Sequence, residues 1–455
     1  MNFSLETTIK RKLFPNFARK TITFRQLNMT DSQRWLSMLS ILLTLCGDAS
    51  AQQARILGGI ASLRTEIGGQ LVGMPVLKLA SGETMEVSFD ELSHDYHRFV
   101  YRLEHLDRFW QPSDGLFFTE YAEATQTDVP IETYTESQNV STNYTHYSFS
   151  FPNSDMRPLL SGNYRLTILA DDDELRPVAE VYCCMTETAV GINGTVTTDT
   201  EIDYNGQHQQ VVFNVDCAQL PARDYREDCY TVVLQNDRWD NAVCGAPPTS
   251  IHADRMEWSH QRQLVFPAGN EYRKYEQLSP RYAGLNVESV GWFEPWLHAT
   301  IATDDIRRNY LTYEDQNGTS VIRNTDNVYD ETETEYMITH FALHAPEPFE
   351  DARVYLNGRW TTGGISPQWE LTYNPDSQCY EGAFIMKQGY YDYQYLVVPN
   401  GMALPAPATI SLTAATEGDF YQTENEYRIL VYFSLPGDRY DRLVGASRLK
   451  KGALQ

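Results

Sequence analysis

The chain has 455 residues, 21% of them charged, and a formal net charge of −25 at pH 7. Such an acid excess repels nucleic acid and anionic lipid, and no stretch after residue 46 approaches the roughly 18 apolar residues of a membrane-spanning helix. The ten-residue alternating strands with an apolar outer band that build a transmembrane β-barrel are missing too.

Residues 1–28 are basic, with Lys10, Arg11, Lys12, Arg19, Lys20 and Arg25. An export signal follows. Arg34 supplies its positive charge, residues 35–46 its short apolar stretch, and Ala49-Ser50-Ala51 a small-residue cleavage site. The mature chain is expected to start near Gln52, and Met29 is an alternative initiator. Cys46 as a lipid acceptor is disfavoured because Leu45 stands where a small residue is usual. Residues 1–51 hold seven Lys/Arg and three Asp/Glu, so the mature charge would be −29. Six cysteines remain: Cys183, Cys184, Cys217, Cys229, Cys244 and Cys379. None forms a C-x-x-C pair, which argues against a zinc ribbon. Export permits disulfides, and a Cys217–Cys229 bridge and buried free thiols both stay open.

Strand signals then dominate. Residues 76–79, 85–89 and 99–103 alternate or run apolar between turn residues, and 144–151 alternates aromatic with polar. Strands are also predicted at 164–169 and 178–185, separated by an acidic turn at 171–173. Six short strands with turn punctuation predict a β-sandwich over 56–188. A β-rich middle domain is expected over 189–333, with strands at 209–215, 231–235, 287–293 and 297–303. Residues 240–286, with Pro247-Pro248 and Pro280, read as irregular. The acidic segment 326–335 reads as a linker. A third sandwich is expected over 334–455, with strands at 336–343, 353–356, 380–386, 390–398 and 427–433. Asn357-Gly358 carries a hairpin signal. Within Lys387, Gln388, Gly389, Tyr390, Tyr391, Asp392, Tyr393, Gln394 and Tyr395, the odd-numbered tyrosines would share one strand face, opposite Asp392 and Gln394.

Assembled chemistry is sparse. His94 and His97, near His105 and Asp107, lack a third metal ligand at a standard spacing and read as a surface loop. Residues 171–174 lack the EF-hand pattern. Paired carboxylates can be nominated anywhere among 61 acids, but sequence does not say which two face a cleft. There is no G-x-S-x-G, H-E-x-x-H, P-loop or G-x-G-x-x-G. The reading is a non-enzyme without cofactor or metal. The rival reading is an exported carbohydrate-binding or glycan-processing sandwich, with Trp360, Trp369 and Tyr391 on a sugar face.

Several segments carry a resemblance. They are Tyr144-Thr145-His146-Tyr147, Phe151-Pro152-Asn153, Ser161-Gly162-Asn163-Tyr164, residues 207–211, Gln235-Asn236-Asp237-Arg238-Trp239-Asp240, Gly269-Asn270-Glu271-Tyr272-Arg273, residues 355–358, the run 387–395, Glu417-Gly418 and residues 438–445. In this order, over about residues 70–446, they resemble the plug protein family of the bacterial type IX secretion system. The resemblance implies a soluble periplasmic protein of the Bacteroidetes, monomeric within a complex. The implied partner is a giant outer-membrane translocon barrel, plugged when no substrate passes. Residues 354–361 are also similar to early-set sandwiches related to glycogen-binding modules. The expected fold is therefore all-β, three tandem immunoglobulin-like or early-set sandwiches after a signal peptide. Gln235, Asn236, Trp239, Asn270, Glu271, Lys387, Gln388, Gly389, Tyr390, Tyr391 and Tyr393 are the candidate interface or structural motif, and most of Gln235, Asn236, Asn270 and Glu271 are expected to tie loops to the sheet.

Overall fold

The computed structural model describes residues 54–172, 174–312, 314–325 and 331–451. The expected signal segment and residues 326–330 of the expected linker lie outside these. The chain is all-β, as its alternation predicts.

The first sandwich pairs two antiparallel sheets. One orders the strands Arg55–Ile56, Arg176–Thr186, Gly162–Ala170, Phe99–Leu106 and Asp128–Pro130, with Val76–Lys78 added in parallel. The other orders Gln70–Leu71, Ala61–Ile67, Met85–Glu91, Thr145–Phe151 and Thr133–Glu136. In Thr145–Phe151 the alternation works as written: Tyr147, Phe149 and Phe151 are buried while the residues between them are not. The sheets meet through aromatic contacts, Tyr101 stacked on Phe149 with centroids 4.4 Å apart and Phe99 edge-on to Tyr147 at 4.8 Å. A buried aromatic removes roughly 150–250 Å² from water, about 4–6 kcal/mol each before entropy costs.

Beyond residue 188 strand pairing runs across the expected bounds of 189–333 and 334–455. The strand Cys229–Gln235 pairs along its whole length with Glu426–Phe433, which in turn pairs with Arg442–Lys450. This sheet faces another built from Gly191–Thr197, His208–Asp216, Arg255–Trp258, Ser250–Ile251 and Val265–Pro267. Phe213, Trp258, Val233, Ile429 and Val444 fill the space between them. The intervening chain forms a ten-stranded sheet. Its order is Arg273–Gln277, Gly389–Pro399, Ala352–Asn357, Glu370–Asn374, Cys379–Lys387, Tyr336–His344, Trp296–Ile301 and Val287–Phe293, with Asp304–Asp305 and Ser320–Ile322 attached to it. Residues 287–301, expected in the middle region, therefore pair with strands expected in the third.

Two local expectations are corrected. Residues 240–286 are not irregular throughout but hold short strands, Arg273–Gln277 among them. Asn357-Gly358 does not close a tight hairpin, because the strand pairing with Ala352–Asn357 starts only at Glu370. Gly358 serves close packing instead: a side chain there would lie 2.4 Å from the Trp360 indole nitrogen and 2.8 Å from the Asp392 carbonyl oxygen. The segment around His94 and His97 is an exposed loop. All six cysteines from Cys183 to Cys379 are free thiols.

Candidate functional site

The candidate residues converge on buried junctions between the sheets. Lys387 ends the strand Cys379–Lys387 on the face turned toward the first sandwich. Its ammonium lies 2.6 Å from Asp90 Oδ2, with the two side chains 0% and 1% exposed. The same nitrogen donates to the Glu331 carbonyl at 2.8 Å and stands 4.2 Å above the Tyr144 ring. Asp90 accepts Tyr336 OH at 2.5 Å and meets His146 Nδ1 at 2.7 Å. Burial alone would make the Asp90 carboxyl hard to ionise, but Lys387 and His146 overcome it and hold the group below its ordinary range. Tyr144 OH completes the junction by donating to the carbonyls of Glu331 and Thr334. Gln388 Oε1 accepts the Glu335 N–H at 2.8 Å, and Glu335 in turn accepts the N–H groups of Ser141 and Thr142. Gly389 lets two strands close up, since a side chain there would meet the Val321 carbonyl oxygen at 2.3 Å.

A second set joins residues near 235 and 270 to the returning chain. Asn236 and Asp237 both take left-handed φ, 53° and 59°, at the end of Cys229–Gln235, a turn that Asn and Asp tolerate better than most residues. The Asn236 amide donates to Asn425 Oδ1 at 2.8 Å and its oxygen accepts the Glu426 N–H at 2.9 Å. Gln235 Nε2 donates to the Pro267 carbonyl at 2.9 Å. Asp237 is paired bidentately with Arg428, at 2.6 and 2.9 Å. Burial opposes its charge, yet Arg428, with Arg359 and Arg448, brings its pKa down to about 2. Asn270 Nδ2 donates to the Glu417 carbonyl at 2.9 Å. Burial raises the Glu271 pKa, although Tyr310 OH and the Glu424 N–H both donate to its Oε1. Arg273 contacts both oxygens of Glu417 at 3.0 Å and reaches Asp304 Oδ1 at 2.8 Å. Tyr393 and Tyr395 both donate to Asp304 Oδ2 at 2.8 Å.

Trp239 works through packing. Its ring meets Trp110 of the first sandwich edge-on at 5.5 Å, inside an apolar cluster with Leu106, Tyr182, Leu234 and Tyr432. Tyr391 stacks on Tyr275 at 5.2 Å, and the half-buried Tyr390 donates to Asp392. Tyr391, Tyr393 and Tyr395 share the core face as their alternation predicts. The sugar-face alternative is overturned. Trp360, Trp369 and Tyr391 are 9%, 8% and 4% exposed, and both indole N–H groups are spent on backbone carbonyls, of Asp392 and Thr362.

A polar cleft of about 1120 Å³ opens where Gln70 and Leu71 approach Glu271, Asp315, Tyr390 and Glu424. Burial, with the nearby charges of Asp392 and Glu271, pushes the Asp315 carboxyl up to about 7, even though its oxygens accept the N–H groups of Asn317 and Tyr272. Among the described residues no group of three or more His, Cys, Asp or Glu could hold a metal. The ties made by Asp90, Tyr336, Asp237, Arg428 and Arg273 with Glu417 link residues up to 297 positions apart in the sequence. Only the runs containing Asp237, Arg273, Lys387 and Glu417 carried any sequence signal for them.

Residues 60–187, the first sandwich, match the family model described as type 9 secretion system plug protein 1st domain. The chain belongs to the type IX secretion plug family. Over most of its length it is also similar to a hypothetical protein from Parabacteroides merdae ATCC 43184 of known crystal structure. Identity is 34%, the TM-score is 0.83, and the match covers 88% of this chain and 99% of that one. A putative membrane-anchored protein from Corynebacterium diphtheriae matches at 10% identity, covering 86% of this chain and 92% of that one, with a TM-score of 0.13 that carries no structural argument. A search of curated proteins finds no match. Membership in the plug family carries an envelope location and association with the secretion translocon. Among the described residues no helix is long and apolar enough to cross a membrane.

Proposed function

We propose that the chain is a non-catalytic periplasmic plug, monomeric within its complex, that closes the periplasmic end of the giant type IX translocon barrel in the outer membrane when no substrate passes. The observation that carries this reading is the manner in which the sandwich matched to the plug domain is held: a buried ion pair, Lys387 to Asp90, fixes it to the ten-stranded sheet. A pore wide enough for folded cargo leaks small molecules unless a body that resists deformation blocks it. Sheets cross-tied by buried charges suit that task better than sandwiches strung on free linkers. The candidate motif residues are the internal framework of such a body.

The test is outer-membrane permeability. Deleting the gene should admit a large antibiotic or a periplasm-reporting dye, and deleting the barrel as well should restore the barrier. Leakage that persists in the double deletion would sink this reading, because the hole would then lie elsewhere.

A further inference from the structure

Four adjacent strands of the ten-stranded sheet, Val287–Phe293, Trp296–Ile301, Tyr336–His344 and Cys379–Lys387, send one face into the core through Leu297, Ala299, Met337, Phe341 and Phe384. Register defines the opposite face. Phe293 stands opposite Trp296, His298 opposite Ile338, and Ile338 opposite Ile385. These side chains face outward in neighbouring rows. Phe293 is 69% exposed and Ile385 48%, and Trp296, His298 and Ile338 are half-buried. Phe293 leans edge-on against His298 at 5.4 Å, and His298 stacks on His340 at 5.1 Å, so the patch is continuous across the sheet. Single exposed apolar residues are ordinary, but a contiguous cluster of this kind marks a recognition surface.

Two features of the patch say what covers it. First, the same face continues at one end into Tyr336 and Lys387, where it is already covered by the first sandwich through Asp90. The exposed part is thus a continuation of a protein–protein type of junction. Second, the four strands contain no arginine, and their one lysine, Lys387, is buried, whereas Glu288, Glu294 and Glu381 are exposed at the margin. An apolar centre with an acidic rim fits a partner surface with an apolar centre and a Lys/Arg rim, and it disfavours an anionic membrane.

We propose that this face, centred on Phe293, Trp296, Ile338 and Ile385, docks onto an apolar, basic-rimmed protein surface at the periplasmic mouth of the translocon barrel. The proposal rests on the sealing function above. The experiment measures binding of the purified mature chain to immobilised, detergent-solubilised barrel, at low and high salt. Phe293→Asp and Ile385→Asp, each at an exposed position and each checked for an unchanged melting temperature, should weaken binding about tenfold or more, as the loss of central apolar anchors does. Phe117→Asp, at a residue 74% exposed on the first sandwich, should not weaken it. High salt should weaken wild-type binding only in part, because the centre of the interface is uncharged. If the wild-type chain fails to bind the barrel, the sealing function falls and this docking face with it. If the wild type binds and both variants bind equally well, the docking face alone is overturned. Variants that abolish self-association of the chain while leaving barrel binding intact would overturn it in favour of a second copy as the occupant.

Discussion

The first sandwich meets the rest of the chain through two joints of opposite chemistry. Toward the sheet of Cys229–Gln235 and Glu426–Phe433 the joint is apolar at its centre, where Leu106, Trp110 and Tyr182 pack on Leu234, Trp239 and Tyr432, with the Glu187–Arg442 and Glu120–Arg439 ion pairs at its margin. Toward the ten-stranded sheet it is ionic, built on Asp90, Lys387, His146 and Tyr336. An apolar joint is held by area removed from water and tolerates small shifts in geometry. A buried ion pair is poor evidence of net stability, since desolvation can exceed the attraction, but it punishes any rearrangement that leaves one charge alone. The pairing of the two joints separates cohesion from registration.

The sharpest way to break that comparison is Lys387→Met set against Trp239→Ala. The first strands a buried carboxylate and should cost about 3–5 kcal/mol near neutral pH. The second removes a buried aromatic and should cost about 3–5 kcal/mol at every pH. Asp90 has a depressed folded-state pKa. Its contribution is therefore present above the unfolded carboxylate value of about 4 and is lost as pH falls through the folded value. Denaturant melts taken from neutral to acid pH should show the Lys387→Met deficit shrinking while the Trp239→Ala deficit holds. Parallel deficits would mean that the lysine acts by packing alone.

Asn236→Ala should have a middling effect. It removes the acceptor for the Glu426 N–H and places alanine at a φ of 53°. A loss of about 1–3 kcal/mol is expected in thermal melts. An unchanged melt with lost barrel binding would move Asn236 to an external contact.

The smallest effect is a gain. An acid whose folded pKa is raised, like that of Asp315 at about 7, binds its proton more tightly in the folded chain. Stability therefore falls as pH rises from about 4 to about 7. Asp315→Asn should flatten that slope and leave the variant about 1 kcal/mol more stable than wild type at pH 8, a figure discounted because the residue is only half-buried. A variant less stable than wild type at pH 8 would show that hydrogen bonding outweighs the charge term.

What was legible in the sequence follows from what alternation encodes. Expected strands at 390–398 and 427–433 correspond to Gly389–Pro399 and Glu426–Phe433 because their inward faces are aromatic or aliphatic. Pairing partners are another matter. Nothing in residues 229–235 says that their neighbour lies almost 200 positions later. Arg273–Gln277 was missed because its inward residues include Arg273 and Gln277, polar side chains made buriable by Glu417, Asp304 and loop carbonyls. The run at 387–395 contains Lys387 of the ionic junction, but its acidic counterpart, Asp90, sits in a strand that reads as ordinary. Ion pairs across a fold leave no local trace.

The return of Glu426–Phe433 to lie beside Cys229–Gln235 has a consequence for biogenesis. A chain that emerges amino end first can close the first sandwich as soon as about residue 186 has emerged. The strand Cys229–Gln235 must wait, one edge unpaired, until nearly the whole polypeptide has arrived. During that interval a ladder of free amides and carbonyls is open to rival strands, so an escorting chaperone, or swift delivery of the last fifty residues, determines how much of the protein matures rather than aggregates.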